Sequence, residues 1–254
     1  MGVRLYGMTC GWLTMPFQFF LPGAEGWIAI PVPAYLVVHP KGTALFDTGL
    51  ETALSSKDEA TRNAALGPAA GFALPIIEAD EDVAGRLRAF GVDPDKIDYL
   101  INSHLHMDHC GGNAAIRNAR LIIQKREWEA GGIPELVQEN IYLSHQYDLG
   151  HDRLEIDGEH DLFGDGSVVL VPTFGHTPGH QSLRVRLDSG EVILTGDACY
   201  LRRTLEQLHL PSVVDDAEAM RAALLKLRTL RDAGARLIFG HDPEDWATVP
   251  AVLT

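Results

Sequence analysis

The sequence predicts an α/β protein in which β-sheets are covered by helices. Three observations carry that prediction. Short β-rich runs bounded by turn residues recur along the chain, two amphipathic helical patterns lie among them, and the second half repeats the plan of the first. The 254 residues, 46% of them hydrophobic, are enough to bury a large core, and no Pro/Ser-rich linker or low-complexity tract separates the halves. Residues 1–254 are therefore read as a single domain.

In chain order, PAYLVVH (33–39) and TALFD (43–47) flank Pro40, Lys41 and Gly42, the pattern of a hairpin. Between 81 and 90, Val83, Leu87 and Phe90 fall on one helical face, and Gly91 follows as a stop. IDYLIN (97–102) reads as a buried strand and RLIIQ (120–124) as another. In the second half VVLVP (168–172), SLRVRL (182–187) and EVILT (191–195) are strands, and strict alternation in SLRVRL sends one of its faces to solvent. The longest helical pattern covers 216–233, with Met220, Leu224, Leu227 and Leu230 on one stripe and Gly234 beyond it. RLIFG (236–240) is the last strand. Segment 51–80, rich in alanine and glycine, has no readable period and is taken as a surface excursion or lid.

Charge and cysteine usage narrow the partners. Lys+Arg is 21 against Asp+Glu 35, a net charge of −14, which repels phosphate backbones and anionic lipid, so nucleic acid and membrane surfaces are excluded as partners. No apolar run reaches the ~18 residues of a membrane span. The stretch GWLTMPFQFFLPGA (11–24) is interrupted by Thr14, Pro16 and Gln18, with only Arg4 before it, and reads as mature protein, not a signal peptide. Three cysteines, Cys10, Cys110 and Cys199, make no disulfide framework and point to a reducing, cytoplasmic compartment.

The eleven histidines are unevenly placed. SHLHMDHCGG (103–112) holds His104, His106 and His109 with Asp108 among them, just after a predicted strand. In an extended continuation residues 104, 106 and 108 share one side, and a local turn at Gly111 and Gly112 brings His109 round. Three imidazoles and a carboxylate so crowded call for a cation of borderline softness such as zinc. Matching pieces sit at other predicted strand ends: His176 and His180 in GHTPGH, Asp197 in TGD, and His241 in FGHD. A strand-end carboxylate can give one oxygen to each of two cations, and seven such ligands suffice for two metals with an open position.

HLHMDH, GHTPGH, TGD and GHD, in this order and spacing, resemble the metallo-β-lactamase superfamily over nearly the whole chain. Within it the sequence is most similar to the N-acyl homoserine lactonases, the quorum-quenching branch. The shared features are the SHLHxDHxGGN segment (103–113), the GHxPGHQSL segment (175–183), and Asp197 followed three positions on by Tyr200. The resemblance implies an αβ/βα sandwich of two central β-sheets flanked by helices. It also implies two divalent metal ions, zinc foremost, with manganese, iron or cobalt compatible. His104, His106 and His176 would hold one, Asp108, His109 and His241 the other, and Asp197 would bridge them. His180 falls behind the ligands or in the core, and Asp47 in LFDTGL behind the ligand set, where such a group fixes imidazole orientation. His39, His145, His151, His160 and His209 match no motif and are read as surface or loop residues. Met107 stands where the lactonases often carry phenylalanine and should reshape the pocket wall without touching the metals. Cys110 and Cys199 are read as small buried hydrophobes.

The activity this implies is hydrolysis of the lactone ring of N-acyl homoserine lactones by a hydroxide held between the metals. Tyr200 would donate to the oxyanion and Asp108 would carry the proton to the leaving alkoxide. Trp12, Met15, Phe17, Phe19 and Phe20 are candidates for the acyl-chain wall or for the contact of a homodimer. The alternative is the same scaffold acting on another lactone, an ester or a thioester. Aspartate at 197, where the β-lactamases of the superfamily place a cysteine, argues against penicillin hydrolysis. Only thirteen residues follow His241, against the C-terminal extension of glyoxalase II enzymes. The length argues against a fused flavodoxin-like domain, and the acidity against an RNA-processing nuclease.

Overall fold

The computed structural model describes residues 2–254. The N-terminal run, which the sequence marks only as apolar, is a long strand, β1 (Arg4–Pro16), paired antiparallel with an equally long β2 (Trp27–His39). The register shifts between Thr9 and Trp12, where Gly11 takes a φ of 98°, a bulge that breaks the alternation by which a strand is recognised. The expected hairpin follows, with β3 (Gly42–Phe46) antiparallel to β2. A short β4 (Leu74–Ile76) pairs with β1, and β5 (Tyr99–Ile101), β6 (Arg120–Gln124) and β7 (Arg153–Ile156) extend the sheet in parallel from β3.

The second sheet contains β8 (His160–Asp161), β9 (Val168–Pro172), β10 (Gln181–Leu187), β11 (Gly190–Leu194) and β12 (Arg236–Ile238), in the order β12-β11-β10-β9-β8. The last strand, β13 (Val252–Leu253), returns to β1, completing the first sheet as β13-β1-β2-β3-β5-β6-β7 with β4 beside β1. One core is shared by the facing surfaces of both sheets: Val37, Phe46, Ile101 and Ile122 of the first meet Leu170, Leu183, Val185 and Leu194 of the second. Burying each such side chain contributes about 1.5–3 kcal/mol, which makes this interface the main cohesive element.

Helices cover the outer faces. Val83–Ala89 starts at Asp82, whose carboxylate accepts from Gly85 N, and packs Val83 and Leu87 on Leu36, Leu45 and Leu100. Phe90, placed on its stripe by the sequence, lies past the helix end, 36% exposed and tilted against Tyr6. Ala217–Asp232 is capped by Asp216 and buries Met220, Leu224 and Leu227, the last two against Ile193 and Leu237. This is the αβ/βα sandwich. Segment 51–80 contains the helix Glu59–Leu66, 3₁₀ turns and β4, and its Ala69, Phe72 and Ala73 line a pocket at the sheet edge.

Strand directions decide where chemistry collects. β3, β5 and β6 run parallel and end together, and in the second sheet β11 and β12 do the same. β9, antiparallel to β10, is joined to it by a loop, residues 173–180, which carries GHTPGH. Every motif histidine and aspartate therefore sits beyond the strands at one end of the sandwich, in a loop or a single helical turn, free of ladder geometry and held by the sheets beneath.

Candidate metal centre

Two sets of donor atoms converge at this end. His104, His106, His176 and Asp197 form one, and Asp108, His109 and His241 the other, the donors of each lying within 4.8 Å of one another. His106 Nδ1 is 2.9 Å from His104 Nε2 and 3.0 Å from His176 Nε2, so three ring nitrogens meet at one point. Asp197 stands between the sets. Its Oδ2 is 3.3 Å from His176 Nε2 and 3.7 Å from His104 Nε2, while its Oδ1 is 3.1 Å from His241 Nε2 and 3.2 Å from His109 Nε2. His109 Nε2 and Asp197 Oδ1 are buried without a protein hydrogen-bond partner. Orphaned buried atoms of this kind are rare, and here both face the centre of a nitrogen- and oxygen-donor cluster that suits a divalent cation.

The far side of each ring is anchored, which turns its other nitrogen inward. His241 Nδ1 donates to the Pro31 carbonyl of β2 at 2.8 Å, and His109 Nδ1 to Asp47 Oδ2 at 2.9 Å. The Ser103 hydroxyl donates to Asp47 Oδ2 at 2.8 Å and lies 2.9 Å from His104 Nδ1, and Ser103 N–H donates to Asp47 Oδ1 at 2.6 Å. Asp47 adopts a φ of 60°, a left-handed conformation that aspartate tolerates, and this turns its carboxylate under the histidines. His180 is fully buried, its Nε2 accepting from Asp197 N–H at 2.9 Å. Burial and the neighbouring His176 drop it to about 3, so it stays neutral behind Asp197.

Charges within the centre oppose one another. Burial holds His104 and His106 well below the usual imidazole range, which leaves them neutral and able to donate lone pairs. Burial acts the same way on His109, but Asp197, Asp108 and Asp47 outweigh it and hold that ring well above its ordinary value. His241 is raised by Asp197 and Asp108 against its own burial. The Asp197 carboxyl, despite burial, is held well below the carboxylate range by His109 and His241. A cation held at His109 and His241 would therefore compete with protons.

Sequence reading placed all seven of these residues together, with two local errors. No extended continuation follows β5, which ends at Ile101: the chain bends through residues 103–106, and Met107–Cys110 is a helical turn that aims Asp108 and His109 at the second set. Gly111 and Gly112 have negative φ values of −58° and −87°, so no left-handed turn is involved. They are needed for close approach, since a Cβ would lie 2.6 Å from Glu51 N at Gly111 and 2.5 Å from Thr48 O at Gly112. His39, taken for a surface or loop residue, is buried at the end of β2, stacked on Phe163 at 4.0 Å and bonded to Asp165. His160 likewise belongs to a strand, β8, and is half-buried. The sequence reading missed Glu127, a fully buried carboxylate behind the centre, and Asn140, whose backbone is a hydrogen-bond partner of His106. Neither lies in a motif.

Above the centre lies a mostly apolar pocket. Met15, Phe19 and Phe20 of the N-terminal run line it, with Phe72, Met107, Val213 and the polar Glu139 and Asn140, and it opens onto His106, Asp108, His176, Asp197, Tyr200 and His241. Trp12 is not part of this lining, and Phe17 lines a separate pocket with Arg202 and Arg203. Tyr200 packs edge-on to Phe20, its hydroxyl 3.3 Å from His176 Nδ1. Burial, then Asp197 and Asp108, push its phenol well above the ordinary tyrosine value, so it is a protonated donor. Cys110 and Cys199 are buried and unpaired, as expected.

Comparisons with known proteins agree with this geometry. The chain is 34% identical to N-acyl homoserine lactonase AttM of Azorhizobium caulinodans over 85% of this chain and 84% of that protein. It is 33% identical to an N-acyl homoserine lactonase of Bacillus thuringiensis, over 85% of this chain and 82% of that one. A solved N-acyl homoserine lactone hydrolase, with the product N-hexanoyl-L-homoserine bound at its catalytic metal centre, superposes with a TM-score of 0.82 at 28% identity, covering 97% of this chain and 96% of the other. Residues 27–241 match the metallo-beta-lactamase superfamily, and with this fold and this histidine–aspartate cluster the chain belongs to that superfamily.

Proposed function

We propose that the chain is a metal-dependent hydrolase that opens the lactone ring of N-acyl homoserine lactones, a quorum-quenching activity. The observation that carries this reading is the arrangement at Asp197: one carboxylate shared by two donor sets, beneath an apolar pocket with a tyrosine hydroxyl at its floor. His104, His106 and His176 would hold one divalent cation, Asp108, His109 and His241 a second, with Asp197 between them. Zinc suits this imidazole and carboxylate set best. When bound, the pair supplies Lewis-acid polarisation and acidifies water to give a nucleophile near neutral pH.

The chain's own residues do the rest. The Tyr200 phenol, kept protonated, donates to the carbonyl oxygen as charge develops on it. Asp108, 14% exposed while Asp197, His109, His176 and His241 are at 4% or less, lies at the pocket floor, where it can take a proton from water and pass it to the departing ring oxygen. Met15, Phe19 and Phe20 would cover the acyl tail, and we assign this run to the pocket wall, not to a dimer contact. Each methylene buried there strengthens binding by about 0.8 kcal/mol until the wall is filled. The shared core of both sheets supports one domain over residues 1–254, and three unpaired thiols suit a cytoplasmic location. Among the described residues, no helix is long and apolar enough to cross a membrane.

The test is a hydrolysis panel with metal-replete enzyme, following proton release with a dye. Acyl homoserine lactones should show kcat/KM well above a thioester and a β-lactam, with tail length raising it and then levelling off. A thioester or β-lactam preferred by tenfold would leave a metal-dependent hydrolase of a different substrate.

A further inference from the structure

Glu127 sits in the helix Lys125–Ala130, just after β6, and is fully buried. Its two oxygens accept four hydrogen bonds from three separate segments. Oε1 takes Leu105 N–H at 3.1 Å and the Tyr142 hydroxyl at 2.7 Å; Oε2 takes the Thr177 hydroxyl at 2.9 Å and Gly179 N–H at 2.7 Å. Four donors fill the acceptor capacity of a carboxylate, which is what makes so deep a burial tolerable.

The donors are not scattered. Leu105 lies between His104 and His106, Thr177 follows His176, and Gly179 precedes His180. Tyr142 is two residues from Asn140, the backbone partner of His106, and its ring lies 5.6 Å from that of His106. The loops carrying these histidines have no ladder partners for their buried amides, so an acceptor must come from elsewhere. The approach is tight: a Cβ on Gly179 would lie 2.4 Å from Glu127 N and 2.5 Å from Glu127 Cβ, so only glycine brings this loop within reach. Asp108, His109 and His241 make no hydrogen bond to Glu127; His109 and His241 are anchored instead on Asp47 and on the Pro31 carbonyl.

We propose that Glu127 is a positioning residue that sets the geometry of His104, His106 and His176 as one unit and leaves the other donor set untouched. This rests on the assignment of those three histidines as ligands of one of two cations. Glu127→Gln keeps the size of the side chain but turns an NH₂ group toward two of the four donors, so the 103–106 and 176–180 loops lose their common acceptor. Loss of such outer support lowers metal affinity by about 10–100-fold.

The test is chelator competition on wild type, Glu127→Gln and Glu127→Asp, with metal per chain measured at each chelator concentration and kcat and KM measured at saturating metal. In Glu127→Gln one of the two equivalents should leave at about 10–100-fold lower chelator, and the other at the wild-type midpoint. kcat should fall with KM nearly unchanged, and Glu127→Asp should recover part of both losses. Equal weakening of both equivalents, or a folded Glu127→Gln with wild-type midpoints and kcat, overturns the proposal. If Glu127→Gln does not fold, Tyr142→Phe and Thr177→Val each remove a single donor; each should shift the same one equivalent by a smaller factor, and no shift in either overturns it. A wild type that binds fewer than two equivalents would instead refute the ligand assignment beneath it.

Discussion

Asp47→Asn tests how the second donor set is held. Oδ1 of Asp47 accepts from Ser103 N–H, and Oδ2 accepts from both the Ser103 hydroxyl and His109 Nδ1, all at 2.6–2.9 Å with the side chain 4% exposed. Asparagine accepts a φ of 60° as readily as aspartate does, so the exchange adds no backbone strain. With its oxygen kept on Ser103 N–H, its NH₂ group faces the two remaining donors. Two hydrogen bonds to a charged acceptor are lost, at about 1.5–3 kcal/mol each. Burial pushes the Asp47 carboxyl above its usual value, and a neutral amide recovers part of that cost, so the net loss stays below the sum of the two bonds, about 3–6 kcal/mol. His109 loses the anchor that turns Nε2 inward, so affinity at Asp108, His109 and His241 should fall about 10–100-fold, or about 1.4–2.7 kcal/mol. Calorimetric unfolding of the metal-free protein reads the first number and chelator competition the second. An Asp47→Asn protein that releases both equivalents at the wild-type midpoint would refute the anchoring argument.

Two further outcomes are expected. Tyr200→Phe should keep full metal content and lower kcat by about 10–10³-fold, the range for losing one oxyanion donor, and an unchanged rate would reduce Tyr200 to packing against Phe20. Burial also pushes the fully buried Cys10 thiol far up, so above pH 9 the unfolded chain releases a proton that the folded chain keeps. Stability contributed by Cys10 is therefore complete below pH 9 and is lost as pH rises beyond it, by about 1.4 kcal/mol per unit. Denaturant titrations at pH 8, 9 and 10 should show a shallower decline in Cys10→Ala than in wild type; identical slopes would show that Cys10 ionises freely in the fold.

What could be read from the residues alone follows from how local each signal is. His104, His106, Asp108 and His109 announce themselves because four donors within six positions crowd one another unless a cation holds them, and β-rich runs such as RLIIQ sit in the fold where their pattern puts them. β1 was hidden by the bulge at Gly11, which shifts its alternation midway. The helical turn at Met107–Cys110 is too short to show a period. Glu127 lies beside Trp128 in an unremarkable amphipathic stretch, and its partners are 15 to 52 residues away, so no local pattern could mark it. His39 was missed for the same reason, since Phe163 and Asp165 reach it only after the sheets have packed.

The distribution of ligands over the two sheets has a mechanical consequence. His104, His106, Asp108 and His109 follow a strand of the first sheet, whereas His176, Asp197 and His241 follow strands of the second. Each cation of the proposed pair is thus gripped from both layers and acts as a rivet between them. Neither grip is complete until the layers have docked, so the full donor set for each cation belongs to the docked sandwich and metal would favour it over the unfolded chain. Once set, the two rivets would close long stretches of chain, where the entropy of opening grows only slowly with length, and would resist any parting of the sheets.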